Sequence, residues 1–182
     1  MKNVELHRIA LRKALEIRAS GGIGRTSPVC VYDLAQRMEV EVRFCAETSL
    51  EGLYMKSPRP LILVSGCRPP GRQMFSCAHE LGHHVFKHGN RVDEIFESEQ
   101  ACHEKEPEEV LADSFAGSLL MPISVVEHAF RIRSISIDTC TPLHLYTIAH
   151  NFGVGYDTLL SHLQWSLKLL SKERADYLRK TS

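Results

Sequence analysis

Five residues within "SCAHELGHHVFKHGN", positions 76 to 90, can bind a metal or move a proton: His79, Glu80, His83, His84 and His88. On an α-helix, positions i and i+4 share a face, so His79 and His83 can offer two imidazole nitrogens to one ion. Glu80 lies one position on, roughly 100° around the helix. That offset keeps its carboxylate off the ion and within reach of a water beside it. The H-E-x-x-H arrangement suits hydrolysis: the imidazoles hold zinc, the ion makes water more acidic, and the glutamate takes the proton.

A chance match on an exposed helix is the plain alternative, and two features weigh against it. The flanking Phe75, Ala78, Leu81, Gly82, Val85 and Phe86 are apolar or small, which implies a half-buried helix where unpaired polar rings would be costly. A catalytic zinc also takes a third protein ligand, and Glu109 stands downstream with Asp113 four residues later. On one helical face Glu109 can ligate while Asp113 accepts the far N–H of a ligand histidine. Glu108 is the rival ligand, but only Glu109 has Asp113 at that spacing. The expected centre is therefore Zn2+ held by His79, His83 and Glu109, with Glu80 as the base and Asp113 behind a ligand.

The neighbouring groups read differently. His84 is expected at the surface or in packing, and His88 as a group satisfying the carbonyls at the end of the helix. Cys77 reads as a small buried hydrophobe. Cys102 and His103 are metal-competent but fall in a polar segment.

These side chains need elements to position them. Apolar residues at helical spacing predict a helix over about 3–19, stopped by "GGIG" at 21–24. "SPVCVYDLAQRM" predicts a second helix, with Ser27 as cap and Pro28 in the first turn. "EVEVRF" (39–44), "GLYM" and "PLILVS" read as strands, the last two as a hairpin. The histidine cluster falls on a helix from about 72 to 87, and 88–106 is expected to be a loop or lid. "PEEVLADSFAGSLLMP" is a further helix, ended by Pro122. From 134 onward two helices are expected, joined at Asn151 to Gly155. The fold class is α+β, with a domain over 1–133 and a small helical segment over 134–182.

A chain of 182 residues with 22 basic and 22 acidic side chains has room for one sizeable core and no net field to hold a polyanion. Charge thus gives no reason to expect general binding to nucleic acid or a membrane surface. Neither a signal-peptide pattern nor a membrane span is expected, which points to the cytosol. The six cysteines form no C-x-x-C pair, so reduced thiols are expected. "IAHNFGVGYDTLLSHL" has a helix-turn-helix cadence. Its second helix opens with Gly155, Tyr156, Asp157 and Thr158, and positive charge gathers only from Lys168 onward, so packing or substrate docking is expected in place of DNA reading.

"RQMFSCAHELGHHVFKH" and "EEVLADSFAGSLLMP", with "PVCVYDLAQRMEVEV" and "LEGLYMKSPRPLILVS" upstream, resemble the ImmA/IrrE family of zinc metallopeptidases over residues 28–125. The resemblance implies a zincin-like fold with a small twisted sheet and two active-site helices. It implies zinc on His79, His83 and Glu109, with Glu80 as the catalytic glutamate. Asp113 stands where the family has Asn or Asp, and Arg72 matches an arginine ahead of the zinc helix. Met74 and Cys77 depart from the residues usual there. Such proteins act in bacteria, phages and other mobile elements by cutting a helix-turn-helix repressor. For this chain zincin chemistry would have "PLILVS" pair with an extended substrate, and Tyr54, Arg72 or His103 donate to the scissile carbonyl oxygen. The alternative is a metal-binding regulator that acts by binding a partner protein or DNA without proteolysis.

Overall fold

A computed structural model describes residues 2–94 and 106–182. The first helix, α1 (Lys2–Ser20), ends where Gly22 takes a left-handed φ of 67°. It lies along α4 (Pro107–Leu120) and buries Ala10 and Ala14. Arg18 is buried between them; its guanidinium donates to the carbonyls of Leu119, at 2.7 Å, and of Gly24 and Ser27. A charge so placed is tolerable because carbonyls at a helix end otherwise lack donors. Ser27 is therefore not the expected helix cap. Helix α2 (Val31–Arg37) begins four residues later, after Cys30, with no side-chain cap.

Strands β1 (Glu41–Cys45), β2 (Leu50–Met55), β3 (Leu61–Ser65) and β4 (Arg91–Glu94) form one sheet in the order β1-β3-β2-β4. β3 runs parallel to β1 and antiparallel to β2, and β2 is antiparallel to β4. The apolar "LILVS" of β3 sits inside the sheet, as a strand covered on both edges should, whereas β1 at the rim exposes Glu41 and Arg43. Two expectations change here. "PLILVS" has no free edge for a substrate strand, because β1 and β2 occupy both of its sides. The segment 88–106, expected to be all loop, contains β4, and its residues 95–105 lie outside the described residues.

Helix α3 (Pro70–Val85) crosses the sheet and packs against β2, β3 and α4. Beyond α4, a helix not anticipated from sequence, α5 (Ile123–Arg131), follows Pro122. The C-terminal part has more than the two helices expected: α6 (Pro142–Phe152), α7 (Tyr156–Ser161), one π-helical turn over His162–Ser166, and α8 (Lys172–Lys180). Thr141 caps α6 in a reciprocal bond with His144, and Gly153 ends it at φ 67°. A single apolar cluster joins Ala14, Ile62, Leu81, Phe115, Leu145, Leu160 and Leu178, so residues from 134 onward share one core with the sheet. By length and composition the stretch Pro107–Arg131 could cross a membrane, contrary to expectation, but more than half of its most apolar window is buried in the protein, as in a core helix. Cys30, Cys45, Cys67, Cys77 and Cys140 carry free thiols, and Cys102 is outside the described residues.

The π-helical turn places a buried histidine against α4. His162 donates from Nε2 to the carbonyl of Met121 at 2.8 Å, and a Cβ on residue 117 would come within 2.9 Å of its ring, which is why Gly117 is there. Burial pushes His162 down to about 4, partly opposed by that carbonyl. Since the folded value lies below the ordinary 6.5, this group's contribution to stability is full above about pH 6.5 and is lost as the pH falls toward 4. Unfolding free energies from urea titrations at pH 7.5 and 5 should differ by roughly 2 kcal/mol on this account. In H162Q that difference should shrink, and an unchanged pH dependence would remove His162 as its source.

Candidate active site

Helices α3 and α4 approach closely because Gly82 has no side chain. A Cβ there would lie 3.0 Å from Ala112 Cα and 3.3 Å from the Phe115 ring. That contact brings the α4 carboxylates over the α3 imidazoles. His79 Nε2 and His83 Nε2 are 3.0 Å apart, Glu109 Oε2 is 3.2 Å from the first, and Glu109 Oε1 is 3.6 Å from the second. Zinc–ligand bonds of about 2.0–2.2 Å in a tetrahedron place neighbouring donors about 3.3–3.5 Å apart. The observed separations bracket that edge, and the donor set of two imidazoles and one carboxylate is one that zinc accepts. These three residues thus fit the ion. The imidazoles of His79 and then His83 hold the Glu109 carboxyl well below the usual carboxylate range, against the opposing effect of burial.

The ring atoms facing away from this cluster are also engaged. His79 Nδ1 lies 2.9 Å from Asp113 Oδ1, as the four-residue spacing of Glu109 and Asp113 suggests. His83 Nδ1 lies 2.8 Å from His88 Nδ1. His88 was expected to serve the end of the helix; its backbone N–H does so, bonding His83 O at 3.0 Å, but its imidazole turns inward and is buried. Burial first, then the neighbouring His83 and Arg91, push His88 down to about 4. The rival ligand Glu108 turns away to Arg91, which also pairs with Glu106 at 3.4 Å.

Glu80 is fully buried and faces the sheet. A Cβ on residue 52 would overlap its Oε1, so Gly52 of β2 leaves the space that the carboxylate fills. The preceding Glu51 is the extra residue of a β-bulge against β4, and its carboxylate binds Arg72 at 2.8 Å and Arg68 at 3.2 Å. Bulges commonly re-aim side chains beside active sites. Arg72 therefore ties β2 to the start of α3, about 10 Å along the helix from His79. Tyr54, one β-strand repeat beyond Gly52, is buried with its hydroxyl 3.0 Å from His84 Nδ1, so His84 packs against the sheet. His103 lies outside the described residues.

Sequence reading missed Gly52, Glu51 and Arg91, and gave the His88 side chain a role only at the end of the helix. Only His88 carried a local signal, its place just past the end of the zincin-like helix.

A search of curated proteins returned no match. Among solved structures the chain is similar to a Mycobacterium tuberculosis transcriptional regulator, with 17% identity and a TM-score of 0.54 over 96% of this chain. The similarity spans 54% of that protein and bears on the fold. The peptidase family M78, described as the IrrE N-terminal-like domain, matches residues 35–164. With the H-E-x-x-H helix and the acidic helix both inside that match, the chain belongs to the IrrE N-terminal-like family of peptidases.

Proposed function

We propose that this chain is a zinc-dependent endopeptidase that cuts a helix-turn-helix transcriptional repressor and so induces the genes it silences, in a stress-response, mobile-element or toxin–antitoxin type of circuit. The observation that carries this reading is the convergence of His79, His83 and Glu109 on one point, with the buried Glu80 one helical step away. Membership of a peptidase family supports hydrolysis, and the transcriptional-regulator fold neighbour agrees with a regulatory setting.

When bound, zinc supplies Lewis acidity and a water that ionises near neutral pH. His79, His83 and Glu109 hold that ion, and Asp113 orients His79. Glu80 takes a proton from the attacking water and returns it to the leaving amine. Its burial against Gly52 keeps the carboxylate in one place for both transfers. An extended substrate pairs with the outer edge of β4, which among the described residues is the rim strand next to the Gly52-bearing β2. β1, at the opposite rim, is two strands away from β2. For the developing oxyanion the proposed donors are Tyr54, Arg72 and His103. Of the two that are described, Arg72 has the exposed side chain and Tyr54 the buried one.

Within this reading residues 1–133 carry the chemistry and residues 134–182 brace it or dock the substrate. The would-be recognition helix α7 buries Tyr156, Leu159 and Leu160. A Cβ on Gly71, at the start of α3, would lie 2.6 Å from the backbone of Val154 and Gly155. The turn that a DNA reader would present is thus packed on the active-site helix, and DNA reading by this segment is not part of the proposal.

The test is to incubate the purified chain and zinc with any helix-turn-helix repressor that an adjacent reading frame encodes. One cut in an extended segment of the repressor is expected, abolished by a chelator. An intact repressor held in a stable complex would favour the regulator that binds without cutting.

A further inference from the structure

We propose that His88 is a positioning residue for the metal centre: the turn that ends α3 aims its imidazole at His83 and sets the tautomer and orientation of that ligand. The inference rests on the reading of His83 as a metal ligand.

The turn is a Schellman motif, recognisable from its two backbone bonds. Past the last helical residue, Val85, Phe86 forms the cap and Lys87 takes the left-handed φ of 59°. His88 N–H donates to His83 O at 3.0 Å, and Lys87 N–H donates to His84 O at 3.1 Å. This motif brings the side chain after the left-handed residue against the side chain five positions earlier, usually as an apolar pair, and glycine is the usual left-handed residue. Here the left-handed residue is a lysine, which its β-carbon disfavours, and the pair is two histidines. Their Nδ1 atoms are 2.8 Å apart and their ring centroids 5.0 Å apart. Phe86 stacks on the His88 ring with 5.8 Å between centroids, and only 7% of His88 is exposed.

Such packing leaves the ring little freedom, and hydrogen-bond bookkeeping then decides the protons. A bond between two Nδ1 atoms needs one donor and one acceptor. His83 points Nε2 at His79 Nε2 and Glu109. To ligate, that nitrogen must keep its lone pair, so the proton of His83 sits on Nδ1 and is donated. His88 accepts with Nδ1 and carries its own proton on Nε2. The two imidazoles of the centre are thus held from behind by different groups, His79 by the Asp113 carboxylate and His83 by a neutral ring. An ordinary apolar residue at 88 would cap the helix equally well and could not accept that proton.

Two substitutions separate capping from positioning. H88L restores the usual apolar pair of the motif; H88N keeps an acceptor, because Asn Oδ1 sits where His Nδ1 does. Zinc affinity is measured by competition with a chromophoric chelator, Co2+ absorption reports ligand geometry, and thermal melting of the metal-free proteins reports the cap. H88L is expected to melt near wild type while binding zinc about 10–100-fold more weakly, the usual cost of losing an outer partner of a ligand, with an altered Co2+ spectrum. H88N is expected to recover most of the affinity and the wild-type spectrum. Wild-type affinity and spectrum in H88L would overturn the inference and leave His83 a ligand; so would equal weakness in H88L and H88N. If wild-type protein bound neither metal, the inference would fall together with the metal-centre reading.

Discussion

Glu80→Gln protein is expected to fold, to bind zinc with wild-type stoichiometry, to dock its repressor, and to cut it about 10²–10⁴-fold more slowly, the usual worth of a positioned general base. Glutamine fills the same space against Gly52, where Glu80 is fully buried. What disappears is the carboxylate's ability to take a proton and give it back. The amide matches the carboxylate in shape and keeps a hydrogen-bonding group, so the fold is expected to be retained. Single-turnover cleavage with enzyme in excess, read beside metal content and repressor binding, separates the effects. Wild-type cleavage by the variant would show that Glu80 is not the base. Wild-type gene induction in cells by a variant that cannot cut would move the function to binding without proteolysis.

His83→Ala and Glu109→Ala are expected to lose metal and activity together. Each removes a donor from a set whose members are 3.0 to 3.6 Å apart, and two remaining protein ligands do not make the three that a catalytic zinc site needs. The fall in affinity should exceed the about 10–100-fold that outer partners are worth. The two variants differ in the metal-free protein. His83 is wholly buried and its loss opens a cavity, so H83A should also melt lower. Glu109 sits at the first turn of α4 with its side chain 26% exposed, and E109A should melt lower by a smaller margin, losing its bonds to His79 and His83 without opening a cavity. Glu108→Ala is the control, because Glu108 faces Arg91. Metal retained in E109A and lost in E108A would transfer the third ligand to Glu108.

The parts of this site that depend on short-range periodicity were legible in the chain. His79 and His83 share a face because they are four apart on a helix, as are Glu109 and Asp113, and Pro107 and Pro122 mark where that second helix starts and stops. The α+β class followed from the same local patterns, alternating in the strands and helical around them. Other features had no such local mark. The sheet order β1-β3-β2-β4 depends on pairings between distant segments, so "PLILVS" looked as available for a substrate as any strand until β1 was seen beside it. Four-residue β4 was too short and too polar to show a period. The approach of α3 to α4 depends on the missing side chain of Gly82 meeting Ala112, and the place of Glu80 on the missing side chain of Gly52. The inward turn of His88 depends on a left-handed lysine that no propensity favours. Periodicity along one element is written in neighbouring residues, and the chain by itself determined which groups share a face. Which faces meet is set by packing between residues from 20 (Glu41 and Leu61) to 101 positions apart (Arg18 and Leu119), and only the tertiary structure decided that.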